Sequence, residues 1–416
     1  MSTTGRAISQ DKDELETILR EMAAEPREVC IAREQSAFDQ LAGGVRPIVL
    51  FGAGALGRMV LAGLRRIGAE PRALADNNPK LWGQEVDGLR VFSAAEAAHR
   101  FGQDCCFVVT IYNGSKARQQ LRDLGCRYVA PLAALFWKYA GEFVPCNGID
   151  LPHNLPPHAD ELRAVFGMLA DEHSRREMCA QLRWRYWLDD KTMPTPLAPR
   201  DLYFPRQLIA PFDGEVFVDC GAFDGETVHG FLERAGSRFE HIYSFEPDPG
   251  NRNLLEQSTV ALGAAISSRI TSLPFGLGAQ DGPVQFSADA SVSSHMTAGE
   301  GISVECRKLD NIAWQHLPTY IKMDIEGAEP DALRGASELL RKHMPVLAVC
   351  LYHRSEHLWQ IPRYIHETAP EYELFICRYA EDCWELVCYA VPKHRLVLPQ
   401  TASAVGDAGC GAELNR

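Results

Sequence analysis

The sequence predicts an α/β protein made of two successive units, each with parallel strands covered by helices. Short apolar strands alternate with helical segments in residues 45–145, and the same alternation returns in residues 211–395. In each unit a glycine turn joins the first strand to a helix. The length of 416 residues agrees with two or three domains of about 150 residues each. We expect a helical arm at 1–44, a proline-punctuated helical linker at 146–210 and a flexible tail at 396–416 around these units.

The composition excludes several classes of protein. The chain has 42 basic and 55 acidic residues, a net charge of −13 that disfavours broad binding to nucleic acid or anionic lipid. No apolar run approaches the roughly 18 residues that a membrane span needs, and the polar N-terminus lacks a signal-peptide core. Thirteen cysteines without a CxxC pair disfavour a disulfide framework or a zinc ribbon. We therefore expect a cytoplasmic protein, and the additional surface of the N-terminal unit suggests a homo-oligomer.

The N-terminal unit carries the glycine pattern of dinucleotide-binding folds. Gly52, Gly54 and Gly57 form a complete GxGxxG that follows the strand PIVLF and opens a helix. Asp76 ends the next strand 19 residues after Gly57, where a carboxylate can hold ribose hydroxyls. These four residues are the candidate ligand-binding residues of a Rossmann-like domain.

The function of this N-terminal unit stays open between two interpretations. Residues 46–131 have room for about four strands, one mononucleotide-binding half plus an extra strand. The unit either binds NAD, a nucleotide or a nucleotide-sugar, or only packs or dimerises without a ligand. Thr110–Ser115 follow its third strand and could contact such a ligand.

The C-terminal unit predicts a site for a nucleoside-bearing cofactor. The strand Val216–Asp219 runs into the turn Gly221–Gly225, and a helix begins near Glu226. The turn lets a ligand approach the backbone, and the helix N-terminus offers free N–H groups. A second strand ends in Glu246, whose carboxylate can accept hydrogen bonds from both hydroxyls of a ribose.

Two carboxylates in this first turn select among cofactors. Asp219 and Asp224 would repel a pyrophosphate, whereas S-adenosylmethionine has no phosphate and carries a cationic ammonium and sulfonium. The turn therefore favours S-adenosylmethionine over NAD.

Polar residues also end two later strands of the C-terminal unit. Asp324 and Glu326 are two residues apart, so on an extended strand they face the same side. His353 ends the strand PVLAVCLY. His353 or Asp324 could take a proton as general base. Alternatively, Asp324 and Glu326 bind a divalent cation such as Mg²⁺, since carboxylates suit that ion.

Six motifs occur together in residues 200–392: VDCGAFDGETV, SFEPDP, FGLGAQDG, VECRKLDNI, IKMDIEGAE and LYHR. In order and spacing they resemble the FkbM-type S-adenosylmethionine-dependent methyltransferases. The resemblance implies a seven-stranded sheet, six strands parallel and one antiparallel. It also implies O-methylation of a hydroxyl on a sugar, polysaccharide or secondary metabolite. The apolar segments of 372–392 flank an acidic turn and predict an antiparallel hairpin at one edge of that sheet.

The resemblance also implies roles for individual residues. Asp324, Glu326 and His353 would face the acceptor, while Phe223 departs from the broader methyltransferase pattern, which has glycine there. The expected cofactor-binding residues are Asp219, Gly221, Ala222, Asp224, Gly225, Thr227, Glu246, Pro247, Asp248, Gly276, Leu277 and Gly278.

Two classes of enzyme compete for the whole chain. The first is an O-methyltransferase whose N-terminal unit positions the acceptor or the oligomer. The second is an NAD(P)-dependent oxidoreductase, or a nucleotide-sugar-binding protein, that uses the N-terminal unit. The Ser- and Gly-rich segment 287–303 is either a lid over the cofactor or an ordinary connection.

Overall fold

A computed structural model of the chain describes residues 3–287, 295–296 and 302–397. Most of the candidate lid segment and residues 398–416 of the expected tail lie outside these ranges. The helices are α1 (Thr3–Ala24), α2 (Arg27–Leu41), α3 (Ala55–Arg66), α4 (Ala94–Phe101), α5 (Ser115–Asp123), α6 (Leu132–Lys138), α7 (Ala140–Phe143), α8 (Ala159–Met168), α9 (Glu172–Trp187), α10 (Glu226–Ala235), α11 (Pro249–Ala261), α12 (Ala264–Ser267), α13 (Glu329–Arg334), α14 (Ser337–His343) and α15 (His357–Thr368). The strands are β1 (Ile48–Phe51), β2 (Ala73–Ala75), β3 (Glu85–Val86), β4 (Leu89–Phe92), β5 (Cys106–Val109), β6 (Tyr128–Pro131), β7 (Glu215–Cys220), β8 (Phe239–Phe245), β9 (Ile270–Leu273), β10 (Phe275–Leu277), β11 (Gly282–Ser287), β12 (His295–Met296), β13 (Ile302–Arg307), β14 (Tyr320–Met323), β15 (Val346–Cys350), β16 (Tyr372–Arg378) and β17 (Leu386–Pro392).

The N-terminal unit is a six-stranded sheet in the order β3-β4-β2-β1-β5-β6. All its strands are parallel except β3, which pairs antiparallel with β4. The sequence indicated about four strands and missed this short hairpin. Its two-residue turn has positive φ at Asp87 (49°) and Gly88 (78°), as Asp-Gly hairpin turns require.

The C-terminal unit is a seven-stranded sheet in the order β16-β17-β15-β14-β7-β8-β9. Strand β17 runs antiparallel to both of its neighbours, and the remaining strands share one direction. The predicted six-plus-one sheet is confirmed, and the hairpin of residues 372–392 lies at its edge as expected. A second sheet of four strands, in the order β10-β13-β11-β12, follows β9.

The helical linker covers the outer edge of the C-terminal sheet. The N–H of Ala170 donates to the carbonyl of Leu374 on β16 at 2.8 Å. The N–H of Ile376 donates to the Ser174 hydroxyl at 2.9 Å. A buried ion pair of 2.7 Å joins Glu177 on α9 to Arg378 on β16. The linker therefore satisfies backbone groups that an edge strand would otherwise leave unpaired.

Within the described residues, none of the helices combines the length and the apolar character that a membrane crossing requires.

Candidate functional site

A cavity of about 610 Å³ opens at the carboxyl ends of β7, β8 and β14. In open α/β sheets ligands bind at this edge, outside the carboxyl ends of the parallel strands. Ten of the residues expected to contact cofactor or acceptor line it: Gly221, Ala222, Asp224, Thr227, Glu246, Pro247, Gly276, Leu277, Asp324 and Glu326. The other five, Asp219, Gly225, Asp248, Gly278 and His353, do not line it, and each has a different structural role.

Asp219 lies beneath the glycine turn and does not line the cavity in which the cofactor was expected. Its fully buried carboxylate is 3.0 Å from the Nζ of Lys322, its register partner on β14. Burial opposes the charge of Lys322, but the carboxylates of Asp219 and Asp324 outweigh it and raise the Lys322 pKa. The lysine also donates to the carbonyl of Gly221 at 2.7 Å. This pair fixes the turn from below, and Lys322 compensates the charge that was expected to repel phosphate.

The glycines of the turn are required by backbone geometry. Gly221 has φ of +80°, and a Cβ there would lie 2.0 Å from the carbonyl oxygen of Asp324. Gly225 has φ of +92° and precedes α10, so its contribution is to the turn rather than to the cavity. Phe223 also has positive φ, 49°, which explains why a glycine suits that position in the broader pattern.

Glu246 joins the tip of β8 to the glycine turn. Its Oε2 accepts a hydrogen bond from the N–H of Phe223, and its Oε1 accepts one from the N–H of Asp248, both at 2.9 Å. Burial, with a smaller contribution from the Asp248 carboxylate, raises the pKa of Glu246 to about 7 despite these two bonds. The carboxylate lies in the cavity wall, where ribose hydroxyls could reach it.

Asp248 and Gly278, which were expected beside the adenosine, do not line the cavity, and each has a structural role. The Oδ1 of Asp248 accepts hydrogen bonds from the N–H groups of Gly250 and Asn251, at 2.7 and 3.0 Å, and so caps α11. At Gly278 a Cβ would lie 2.9 Å from the Cys306 sulfur, so close packing of β13 requires the glycine.

Asp324 is the centre of a buried polar network. Its Oδ2 accepts a hydrogen bond from the Tyr203 hydroxyl at 2.8 Å, and its Oδ1 accepts one from the Tyr352 hydroxyl at 3.0 Å. The Nε2 of His353 is 3.1 Å from the same Oδ1. Burial alone would raise the pKa of Asp324, but His353, Lys322 and Tyr203 together lower it. Asp324 is therefore a fixed anion.

The surroundings of His353 oppose the general-base role that the sequence suggested. Its Nδ1 is 2.7 Å from Oε1 of the buried Glu329, while its Nε2 faces Asp324. Burial disfavours its charge, but these two carboxylates dominate and hold the His353 pKa well above its usual range. Both ring nitrogens therefore carry protons, and the imidazolium positions Asp324 from behind the cavity wall.

The donors do not fit the expected divalent cation. In the part of the chain that the structure describes, the converging ligand atoms belong to Asp324, Glu329 and His353, all within 4.8 Å of one another, and Glu326 is outside this group. The protonated His353 already lies between the two carboxylates. Both Asp324 oxygens also accept tyrosine hydroxyls. The His353 imidazolium therefore already compensates the negative charge that a divalent cation would otherwise balance.

The N-terminal glycine motif has the same local construction as the C-terminal one. Asp76 accepts hydrogen bonds from the N–H groups of Ala53 (2.8 Å) and Asn78 (2.7 Å), as Glu246 does from Phe223 and Asp248. Gly52 has φ of +122°, and a Cβ on Gly57 would lie 1.8 Å from the Gly52 carbonyl oxygen. Two of the three glycines are thus explained by backbone geometry and packing. A Cβ on Gly54, in contrast, would meet none of the described atoms within 4 Å.

Sequence reasoning missed one wall of the cavity, which is formed by Tyr112, Asn147, Trp384 and Glu385. Tyr112 belongs to the Thr110–Ser115 segment, which was expected to face a ligand of its own unit. Instead it reaches the cavity of the C-terminal unit. Trp384 and Glu385 lie in the acidic turn between β16 and β17, whose only sequence signal was that of a hairpin.

Residues 219–382 match the family model described as Methyltransferase FkbM domain. The fold is also similar to the crystal structure of a methyltransferase FkbM from Methylobacillus flagellatus KT. That likeness has a TM-score of 0.69 and 24% identity, and it covers 92% of this chain and 100% of the other. An rRNA-methylase structure from Clostridium thermocellum has 10% identity and a TM-score of 0.32, covering 49% of this chain and 98% of the other, which carries no argument. None of the curated proteins compared with this chain matches it.

Proposed function

From the FkbM methyltransferase domain of residues 219–382, we propose that this chain is an S-adenosylmethionine-dependent O-methyltransferase. The observation that carries the proposal is the cavity at the carboxyl ends of β7, β8 and β14, with Glu246 in its wall. When bound, S-adenosylmethionine supplies a methyl group already activated on a cationic sulfur. The protein has to hold the donor, orient a hydroxyl and remove its proton.

The cavity residues suit the parts of that donor. The Glu246 carboxylate can accept the ribose hydroxyls, and Gly276 and Leu277 offer an apolar wall with little side-chain bulk for the adenine. Asp224 adds a carboxylate to the same cavity, which favours the cationic methionine end. The acceptor would be a hydroxyl of a sugar, polysaccharide or secondary metabolite.

Calorimetry on the full chain tests the proposal with a matched pair of variants. S-adenosylhomocysteine should bind at one site, and Glu246→Gln should weaken it about 10- to 100-fold, because a charged hydrogen-bond acceptor is lost. The control is Asp76→Asn, which alters the equivalent carboxylate of the N-terminal unit and should leave this affinity unchanged. Absence of S-adenosylhomocysteine binding, or weakening by Asp76→Asn instead, would overturn the proposal.

A ligand of the N-terminal unit remains a second prediction, supported by the shared construction of Asp76 and Glu246. Gly52, Gly54, Gly57 and Asp76 would hold NAD or a nucleotide-sugar. Titration of the same full-length protein with NADH should give heat that Asp76→Asn removes and Glu246→Gln leaves in place.

A further inference from the structure

The N-terminal unit supplies part of the wall of the methyltransferase cavity. Tyr112, in the loop after β5, lines the cavity together with Trp384 and Glu385 of the β16–β17 turn. The rings of Tyr112 and Trp384 meet edge to face, with centroids 4.7 Å apart and planes at 82°. This wall lies away from Glu246 in sequence and topology, on the side of Asp324 and Glu326.

Polar contacts hold the two units in this arrangement. The N–H of Glu381 donates to the Asn113 side-chain oxygen at 3.0 Å, and the Glu381 carboxylate accepts from the N–H of Ser115. Arg118 forms an ion pair of 3.4 Å with Asp382, and both side chains are largely buried. These contacts join the residues that follow Tyr112 in the chain to the residues that precede Trp384. They therefore hold together the loop and the turn that carry the two rings.

Glu385 is a cavity carboxylate with fewer protein partners than Asp324 or Glu326. Asp324 is held by two tyrosines and His353, and Glu326 lies 3.7 Å from His353. Within the described ranges, no hydrogen bond or ion pair reaches the carboxylate of Glu385. Its oxygens are therefore available to a ligand in the cavity.

The protonation of Glu385 is set by its surroundings. Burial and, to a smaller extent, the Asp324 carboxylate raise its pKa, which is about 7 when all its neighbours act together. His353 and Lys322 act in the opposite direction, while Glu226 adds to the increase. A group that titrates near neutrality can both take and release a proton at that pH.

We propose that the half of the cavity formed by Tyr112, Trp384 and Glu385 binds the methyl acceptor. Tyr112 packs against the acceptor, and Glu385 accepts the proton of the acceptor hydroxyl. The inference rests on the proposed function. Aromatic ring faces suit the C–H groups of a hydroxylated ring, and carboxylates suit its hydroxyls, so the acceptor class is a polyhydroxylated ring such as a monosaccharide unit.

The reaction balances with these groups. The acceptor oxygen forms a bond to the methyl carbon while the bond between that carbon and sulfur breaks. The electron pair of the broken bond stays on sulfur, which becomes a neutral thioether. The Glu385 carboxylate takes the hydroxyl proton and later releases it to water.

The test uses the full chain and a panel of methyl glycosides as probes. Their binding to protein saturated with S-adenosylhomocysteine is measured by saturation-transfer NMR, and methyl transfer is measured with labelled S-adenosylmethionine. Tyr112→Ala should weaken glycoside binding about 10-fold or more, because a packing wall is lost. Glu385→Gln should keep binding within about threefold and lower turnover about 100-fold or more.

Two controls separate these effects from general damage. Leu124→Ala changes an exposed apolar residue of the N-terminal unit that does not line the cavity, and Glu371→Gln changes an exposed carboxylate outside it. Both should behave as the unaltered protein. Full turnover in Glu385→Gln, full glycoside affinity in Tyr112→Ala, or S-adenosylhomocysteine binding with no glycoside bound would overturn the inference. Loss of S-adenosylhomocysteine binding itself would instead contradict the proposed function.

Discussion

Carboxylates around the cavity differ in protonation although they lie close together. Asp324 keeps a low pKa because two tyrosine hydroxyls, His353 and Lys322 stabilise its anion. Glu246 is buried and Glu326 and Glu385 are half-buried, all with less compensation, and the loss of solvent around them raises each of their pKa values to about 7. The site therefore combines one permanent anion with groups that titrate near neutrality.

Donor binding should depend on pH through Glu246. Ribose hydroxyls favour its ionised form, so binding lowers a pKa that is about 7 in the free protein and releases a proton. Affinity for S-adenosylhomocysteine should rise up to about 10-fold between about pH 6 and pH 8, then level off. Calorimetry in buffers of different ionisation enthalpy checks both the slope and the proton release.

The matched variants for this pH dependence are Glu246→Gln and Glu385→Gln. The first should flatten the profile, because the titrating group is gone. The second should keep it, since Glu385 belongs to the acceptor half of the cavity. If the slope disappears in Glu385→Gln, the titrating group is Glu385 rather than Glu246, which would contradict the prediction.

The buried pair of Asp219 and Lys322 should be important for stability. Lys322→Met leaves the Asp219 carboxylate buried without its cation, which should lower the free energy of unfolding by about 3–5 kcal/mol. Urea denaturation measures the change. Asp219→Asn combined with Lys322→Met removes both charges and should recover part of the loss, and a single Lys322→Met variant of unaltered stability would contradict this role.

Sequence reasoning identified the cavity side chains better than the buried ones. Glu246 and Asp324 end strands, and strand ends meet at one edge of a parallel sheet, so their position follows from topology. The buried environments of Asp219 and His353 were not predicted, because a motif does not show which carboxylate is paired with a buried cation. Lys322 was the available signal, since a lysine inside a buried strand needs an anionic partner.

At the scale of elements, two glycine turns use a similar construction in different units. In each, a carboxylate at the tip of the second strand accepts N–H groups from the first turn. At Gly57 the close contact between α3 and the end of β1 leaves no room for a side chain. The GxGxxG pattern is thus partly a packing requirement, independent of any ligand.

Two alanine substitutions in that motif should have very different effects. Gly57→Ala places a Cβ against the Gly52 carbonyl and should destabilise the protein by about 2–3 kcal/mol, through forced displacement of α3. Gly54→Ala meets open space and should change stability by less than about 1 kcal/mol. Thermal denaturation of both variants is the measurement, and equal losses would contradict the packing explanation.

Elements were predictable where the pattern was long or repeated. The seven-stranded sheet was implied by the resemblance of six motifs to FkbM-type methyltransferases, while the alternation of strands and helices predicted a parallel sheet. The hairpin of β3 and β4 was missed because β3 has only two residues, Glu85 and Val86, too few for an alternation to be visible. Its Asp-Gly turn was the signal that could have revealed it.

The two units of the whole molecule share an apolar core as well as polar contacts. Trp184, Ala380, Cys383 and Trp384 from the linker and the C-terminal unit pack in the cluster that contains the core of the N-terminal unit. The contacts join residues more than 260 positions apart, such as Arg118 and Asp382. Local sequence patterns do not indicate such long-range pairs, so the sequence did not predict which residues form the contact between the two units.

Breaking the ion pair between the units should destabilise the whole molecule. Arg118→Met leaves Asp382, whose pKa burial already raises, without its cation and should cost about 3 kcal/mol. The exposed pair of Arg238 and Asp213 offers a control, because Arg238→Met should change stability by no more than about 0.5 kcal/mol. Thermal and urea denaturation compare the two, and equal effects would show that the interface pair contributes nothing special.

The turn of residues 381–385 has one end against the N-terminal unit and the other in the cavity. In the proposed enzyme, separate stretches of chain therefore form the acceptor half and the donor half of the cavity. Grafting the loop after β5 from a similar protein should alter which molecules the proposed enzyme methylates, while the methyl donor stays the same. New acceptor specificities would then arise without a change in the donor site.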